Sequence, residues 1–265
     1  MQVFRPARIA LFASLLCWQA SANEPPATDE HQETRTYSVV VQDIDYYPIY
    51  KADLDNNDYY GYVRDLLDAF ARAEGLQFEY KVRPVRRMIL EYTRGLYDFA
   101  LPDNPNWNRD DKQGLDVSYS PPLIEFADGL YVLKENASLT AEQMTDYGTI
   151  YGFTPWKFEE QITRGDIEVI TASSPESLIR MALAGRVEVF NLAAPVANHH
   201  FRQLDAEGRF ATAAHLLPVS LSRYHLSSIR HPEIIARMAN FLEQNPEIPQ
   251  QLQEKYGFPA LPSGD

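Results

Sequence analysis

The sequence predicts an α/β protein made of two similar lobes with mainly parallel sheets. Two observations support this class. Short β-branched or alternating segments are followed by amphipathic segments of helical periodicity, an order typical of parallel sheets with right-handed crossovers. The order strand, helix, strand, helix, strand also occurs twice along the 265 residues, and such a length accommodates two lobes of roughly 100 to 150 residues.

The first repeat unit begins with TYSVVVQ, which is short and β-branched and therefore predicts a buried strand. In the next segment Val63, Leu66, Leu67 and Phe70 recur at helical spacing, and Gly75 ends the helix. The predicted elements of this unit are strand 36–42, helix 61–75, strand 76–82, helix 85–95 and strand 96–102.

The second unit repeats this order, and two long apolar segments connect it to the first. We expect 122–135 and 216–230 to cross between the lobes, because a chain that leaves one lobe, builds the other and returns must cross twice. These crossings predict a two-stranded hinge. Two terminal helices, 232–244 and 246–257, each begin at a proline. The elements predicted for the second unit are strand 148–153, helix 156–165, strand 167–171, helix 174–185 and strand 186–192.

The N-terminus has the pattern of a secretory signal. Arg5 and Arg8 precede an apolar run of 12 residues at 9–20, and Ala20-Ser21-Ala22 supplies small residues for cleavage. An uncleaved anchor is the alternative, but a span needs about 20 residues. We therefore expect a signal peptide over 1–22, cleavage after Ala22, a disordered polar leader over 23–35 and a soluble periplasmic protein. The single cysteine lies in the signal, so the mature chain has no disulfide.

Charge and motifs exclude several function classes. The net charge of -13, from 24 basic and 37 acidic residues, disfavours nucleic acid as a partner. No GxSxG, HExxH, Walker or GxGxxG motif occurs. The adjacent His199 and His200 would point about 100 degrees apart on a helix and could not share a metal ion, so they are interpreted as surface histidines. We expect no metal, no cofactor and no catalytic residue.

Ligands of parallel sheets bind beyond the carboxyl ends of the strands, and those loops contain groups that hold small solutes. Aromatic faces stack on planar or cationic groups, and arginine grips carboxylates in a bidentate manner. Each tyrosine has the alternative of packing within its lobe, each arginine that of solvated surface, and Asp103 that of a loop cap. The candidate ligand-binding residues are Tyr46, Tyr47, Tyr50, Arg87, Asp103, Asn104, Trp107, Arg109, Thr154, Trp156 and Asn191.

Short motifs between residues 37 and 257 follow one another in an order that is typical of a known protein family. The motifs are Tyr47-Pro48, Gly61-Tyr62, Arg87 before Arg94-Gly95, Tyr97-Asp98-Phe99, Val117-Ser118-Tyr119-Ser120-Pro121, Gly152-Phe153-Thr154, Ala184-Gly185-Arg186-Val187-Glu188 and Lys255-Tyr256-Gly257. In these the chain resembles the bacterial extracellular solute-binding proteins of family 3, the periplasmic components of polar amino-acid uptake systems. The resemblance implies a periplasmic binding protein-like type II fold. Lobe I would comprise 36–122 with 224–262, lobe II would comprise 123–223, and the lobes would close on a ligand.

Two departures from the family pattern bear on the ligand. Where members of the family have Thr-x-x-Arg for the ligand carboxylate, this chain has Asn106-Trp107-Asn108-Arg109. The family's ammonium-binding Asp falls on Ala193, so the usual α-amino-acid clamp is incomplete. The aromatic faces of Tyr46, Tyr47 and Trp156 could bind a cation instead.

The resemblance implies a monomeric binding protein for a small polar or charged metabolite, amino-acid-like or an amine, that serves an ABC-type permease. Two alternatives remain open. One is a dehydratase-like exported enzyme that uses Thr154, Glu159 or Glu160 as general acid. The other is a ligand-sensing partner of a membrane sensor, which differs from a transport protein only in what docks on the closed form.

Overall fold

The computed structural model of the chain describes residues 1–2, 35–217 and 220–258. The predicted signal peptide and leader therefore lie almost entirely outside the described residues. None of the described helices is long and apolar enough to cross a membrane.

The described elements alternate between strands and helices over both repeat units. The strands are β1 Thr36–Gln42, β2 Asp45–Tyr46, β3 Tyr50–Asp53, β4 Asp58–Tyr60, β5 Gln77–Arg83, β6 Phe99–Asp103, β7 Ser118–Tyr119, β8 Ile124–Leu133, β9 Asp146–Ile150, β10 Glu168–Ala172, β11 Val189–Ala193, β12 Phe210–Thr212 and β13 Ser220–Ser228. The helices are α1 Tyr62–Glu74, α2 Val85–Thr93, α3 Glu159–Arg164, α4 Pro175–Leu183, α5 Ala194–Gln203, α6 Pro232–Gln244 and α7 Glu247–Lys255. Short 3-10 turns occupy Lys134–Asn136 and Trp156–Phe158.

The main sheet confirms the predicted fold class. Its strand order is β10-β9-β11-β8-β13-β6-β1-β5. In one half β1 lies parallel to β5 and β6, and in the other half β9 lies parallel to β10 and β11. The antiparallel pair of β8 and β13 joins the halves. The described residues from 35 onward form a single unit by their contacts, so the lobe boundaries stay a prediction.

The repeat units appear in the structure with small shifts of their ends. β1 has the predicted bounds, and the predicted helix 61–75 is α1 without its terminal glycines. The predicted helix 156–165 begins with a 3-10 turn and becomes α-helical only from Glu159. Sequence analysis did not predict the small sheet β2-β3-β4 or helix α5.

The small sheet explains much of the tyrosine cluster. Tyr46, Tyr50, Tyr59 and Tyr80 form a stack with ring centroids 5.5, 6.0 and 5.4 Å apart. All four rings are buried. Tyr62 is buried as well, its hydroxyl donates to the Leu123 carbonyl, and desolvation raises its pKa to about 12. Most of the tyrosines in this cluster therefore belong to the hydrophobic core. This is the alternative that the sequence left open for each of them.

The histidine pair on α5 corrects the surface interpretation. His200 is only 2% exposed, and neither ring nitrogen has a hydrogen-bond partner in the described part of the chain. His199 is half-buried and packs against the Tyr47 ring, with centroids 4.7 Å apart. Desolvation lowers the pKa of both histidines, and the Asp45 carboxylate opposes that shift.

The buried His200 makes stability depend on pH. Because desolvation lowers the pKa of His200, the folded state takes up this proton only at a lower pH than the unfolded chain, where the ordinary pKa is 6.5. The unfolded state then binds more protons, so we expect the free energy of unfolding to fall as pH drops below about 6.5. Urea unfolding between pH 7.5 and 5 measures this slope. His200→Leu should reduce this slope to the part that His199 contributes, while the exposed-site control His215→Leu should keep it; equal slopes in both variants would contradict this origin.

Candidate functional site

A cleft of about 1360 Å³ lies at the carboxyl ends of parallel strands from both halves of the sheet. The loop 104–111 follows β6, and the segment 149–156 spans the end of β9 and the turn after it. The rest of the wall comes from residues 221–223 and 225 of β13, from Val169 and Thr171 of β10, and from Arg86 and Glu159. The position agrees with the rule that ligands of parallel sheets bind beyond the carboxyl ends of the strands.

Six aromatic side chains contribute to the walls of the inner pocket of this cleft. Trp107 meets Tyr224 edge to face with centroids 5.3 Å apart, and Tyr46 meets Phe153 in the same way at 5.6 Å. Such rings provide faces for a planar or apolar ligand. The inner pocket is lined by Gln42, Tyr46, Val85, Trp107, Asn108, Phe126, Asp128, Thr149, Gly152, Phe153, Thr154, Trp156, Asn191, Ser222 and Tyr224.

Asp128 on β8 lies in the wall of the inner pocket and is 7% exposed. Asn191 donates its amide N–H to Oδ1 at 2.8 Å, and the Ser222 hydroxyl donates to Oδ2 at 3.2 Å. The Lys157 ammonium lies 3.7 Å from Oδ2 and donates to the Asp128 carbonyl at 3.0 Å. Desolvation raises the pKa of the Asp128 carboxyl, and the charge of Lys157 opposes the rise.

Sequence reasoning did not select Asp128 or Lys157. The register of β8 against β11 pairs Asp128 with Ala193, so a carboxylate is present on the neighbouring strand beside the position where the resemblance expects one. One feature of the sequence could have pointed to Asp128, namely an acidic residue inside the apolar segment 122–135. Acidic side chains are rarely buried unless they are paired, so such a residue indicates a buried carboxylate with a partner.

The rim of the cleft holds three arginines. Arg86 lies 3.8 Å from the Asp111 carboxylate, and Arg223 pairs with Glu125. The Arg109 guanidinium donates to the Asn106 side-chain amide oxygen. Among the described residues no carboxylate lies within 4.0 Å of it. Of the three rim arginines, Arg109 is therefore the one whose guanidinium an anionic ligand could bind without displacing a carboxylate of the protein.

Seven of the predicted site residues line the cleft or its inner pocket. The loop after β6 brings three of them, the turn after β9 two, and the small sheet and β11 one each. They are Asn104, Trp107, Arg109, Thr154, Trp156, Tyr46 and Asn191.

Four predicted site residues make other contacts. Tyr47 packs against His199 and Tyr256, and the Tyr50 hydroxyl donates to Gln42 at 2.6 Å inside the core. Arg87 pairs with Glu91 on the exposed face of α2, and its neighbour Arg86 faces the cleft instead, because consecutive residues of a helix differ by about 100 degrees. Asp103 is fully buried.

Asp103 anchors the cleft loop from below. Its Oδ1 accepts from the Lys112 ammonium at 2.6 Å, and its Oδ2 accepts from the Ser227 hydroxyl at 2.7 Å. Lys112 also donates to the Asn104 carbonyl at 3.0 Å. The pair ties both ends of the loop to β6 and thereby positions Trp107.

Segments that accompany the two halves of the main sheet touch next to the inner pocket. The Ala193 amide donates to the Tyr46 hydroxyl at 3.2 Å, at the N-terminus of α5. On the opposite side Gly152, at a φ of 88°, lies so close to Val85 that a β-carbon on the glycine would be 3.0 Å from the valine side chain. Residues from both halves thus enclose the inner pocket.

Comparison with known proteins identifies the fold. No family model and no curated protein matches the sequence. Solved structures match over most of the chain. A putative binding component of an ABC transporter from Wolinella succinogenes, complexed with lysine, has 16% identity and a TM-score of 0.64, covering 85% of this chain and 97% of its own.

Two further structures show the same architecture. A histidine kinase sensor domain with similarity to periplasmic binding proteins has 17% identity and a TM-score of 0.67, covering 87% of this chain and 100% of its own. An ancestral amino acid-binding protein, a precursor of cyclohexadienyl dehydratase, has 19% identity and a TM-score of 0.63, covering 83% and 95%. The chain has the periplasmic binding protein-like type II fold that the family resemblance implies.

Proposed function

We propose that this protein is an exported, periplasmic solute-binding protein that captures a small polar or charged metabolite in the cleft and presents it to an ABC-type permease. The observation that carries the proposal is the inner pocket, an aromatic and polar chamber at the carboxyl ends of strands from both halves of the sheet. The transporter component of the same fold that was crystallised with lysine supports the proposal.

Hinge closure is part of the proposal. The predicted lobe boundaries, 122/123 and 223/224, lie side by side, because the Leu123 amide donates to the Tyr224 carbonyl at 2.8 Å where β8 and β13 cross between the halves. A rotation at these two strands would open the cleft. The Tyr46 contact with Ala193 would then form only when the lobes meet. Ligand would shift such an equilibrium toward the closed state.

The test is ligand binding by the mature chain. Thermal-shift screening and calorimetry with amino acids, amines and organic acids should find a ligand that stabilises the fold by about 2.7 kcal/mol at a hundredfold excess over Kd.

Arg109→Ala should weaken the binding of an anionic ligand by at least tenfold, because it removes a charge-assisted hydrogen bond. Trp156→Ala should weaken binding through loss of a stacking face.

Arg87→Ala is the matched control, because Arg87 is one helix position from the cleft and pairs with Glu91. It should bind like the wild type. Equal affinities for Arg87→Ala and Arg109→Ala would contradict the site, and no stabilisation by any of the compounds would contradict the binding role. X-ray scattering should show a smaller radius of gyration with ligand, whereas an unchanged radius would contradict closure.

An exported enzyme is the second candidate, because Thr154 and Glu159 line the cleft and one structure of this fold is a dehydratase precursor. Turnover of a prephenate-like substrate that Glu159→Gln abolishes would favour the enzyme.

A sensing role is supported by the histidine kinase sensor domain. Docking of the closed form on a membrane sensor rather than on a permease would distinguish sensing from transport.

A further inference from the structure

Lys157 is a buried cation that lies behind the wall of the inner pocket, against Asp128 and Trp156, which line it. Its side chain is 1% exposed. The ammonium donates to the Asp128 carbonyl at 3.0 Å and to the Ser220 hydroxyl at 3.0 Å, and it lies 3.7 Å from the Asp128 carboxylate. It also lies 4.9 Å from the centre of the Trp156 ring. These are the partners that a bound ammonium ion would choose: a carboxylate, two neutral oxygens and an aromatic face.

The Asp128 carboxylate already has a cationic partner and two side-chain hydrogen-bond donors. Oδ1 accepts from Asn191, and Oδ2 accepts from Ser222 and faces Lys157. Within the described residues, Asp128 is the only carboxylate in the lining of the inner pocket. A ligand ammonium in this pocket would therefore share one carboxylate with Lys157, and the two cations would repel each other across a poorly solvated space.

Positive charge is instead available at the rim. Arg109 is exposed, and its bonded side-chain partner is the neutral Asn106 amide. The guanidinium fork matches a carboxylate. The six aromatic side chains of the inner pocket offer faces that suit an uncharged planar or apolar group.

We propose that the Lys157 ammonium permanently occupies the cation position beside Asp128, so that the ligand is a small organic carboxylate without an ammonium group. Its carboxylate binds at Arg109, and its uncharged body lies between the aromatic walls. This inference rests on the proposed ligand-binding role of the cleft.

The first experiment compares acids with their α-amino counterparts on the wild-type protein. Calorimetry and thermal shift are run with 3-phenylpropionate against L-phenylalanine and with glutarate against L-glutamate. The inference expects the acid to bind at least tenfold more tightly in any pair that binds. Equal or tighter binding of the amino acid overturns the inference and leaves the solute-binding function intact. Absence of binding by all four probes, followed by absence in the broad screen, overturns the proposed function together with it.

The second experiment empties the cation site. Lys157→Ala removes a chain equivalent to n-propylammonium, so this probe should raise the Tm of the variant more than that of the wild type. The double variant Lys157→Ala with Asp128→Asn should lose the effect, because it retains the cavity without the charge. Equal shifts in all three proteins overturn the inference. If Lys157→Ala does not fold, the comparison of acids and amino acids on the wild type decides.

Discussion

Lys112→Met should lower the free energy of unfolding by about 3–5 kcal/mol, because it leaves a buried carboxylate without its counter-charge. The Lys112 side chain is 7% exposed, that of Asp103 is 0% exposed, and their charged atoms lie 2.6 Å apart. The remaining donors to Asp103 are the Ser227 hydroxyl and the Asn104 amide. These neutral groups satisfy hydrogen bonds but do not neutralise the charge. Urea unfolding at constant pH measures the loss.

Lys255→Met is the matched control. Lys255 pairs with Asp65, but its side chain is 61% exposed, so its removal should cost less than about 1 kcal/mol. Asp103→Asn added to Lys112→Met should restore part of the stability, because it removes the unpaired charge. A loss in Lys112→Met no larger than that in Lys255→Met would show that the pair does not anchor the fold. The cleft loop depends on the same pair, so the surviving folded protein should also bind ligand more weakly.

Gly61→Ala should cost about 3–5 kcal/mol of unfolding free energy, since it combines backbone strain with a clash against backbone atoms. Gly61 has a φ of 116°, and a β-carbon there would lie 2.8 Å from the Tyr50 α-carbon and 2.9 Å from the Ile49 carbonyl oxygen. Neither atom can rotate away. Thermal unfolding followed by circular dichroism measures the effect.

Gly75→Ala separates strain from clash. Gly75 also has a positive φ, 64°, but a β-carbon would meet nothing within 4 Å, so it should cost about 1–2 kcal/mol. Equal Tm values for the two variants would show that the close approach at Gly61 has no consequence. The site is affected too, because Gly61 joins α1 to the small sheet that carries Tyr46.

The alternation of strands and helices was readable because it depends on local patterns. The run TYSVVVQ forms β1 with the predicted bounds, and the apolar stripe from Val63 to Phe70 is the buried face of α1. The small sheet was not predicted because β2, β3 and β4 have only two to four residues each. Such strands are too short to show an alternation of apolar and polar residues. Helix α5 was not predicted because Pro195 is typical of a loop, although proline is also accepted in the first turn of a helix.

The candidate site was predictable as a set of loops but not as a set of side chains. The rule for parallel sheets selected the loop after β6, and Trp107 and Arg109 on that loop do line the cleft. It could not separate Arg86 from Arg87, since the rotation of α2 against β1 decides which one faces the cleft. It also could not foresee that Asp103 is paired beneath the loop.

The sequence by itself therefore determined the α/β class, the two repeat units and the edge of the sheet where a ligand would bind, because periodicity and chain order are local properties. Only the tertiary structure decided the charges of the pocket. Asp128 is opposite Ala193 through the pairing of β8 with β11, and Lys157 reaches it from a turn 29 residues away. Such encounters depend on strand register and on the packing of distant segments, which no local pattern of residues encodes.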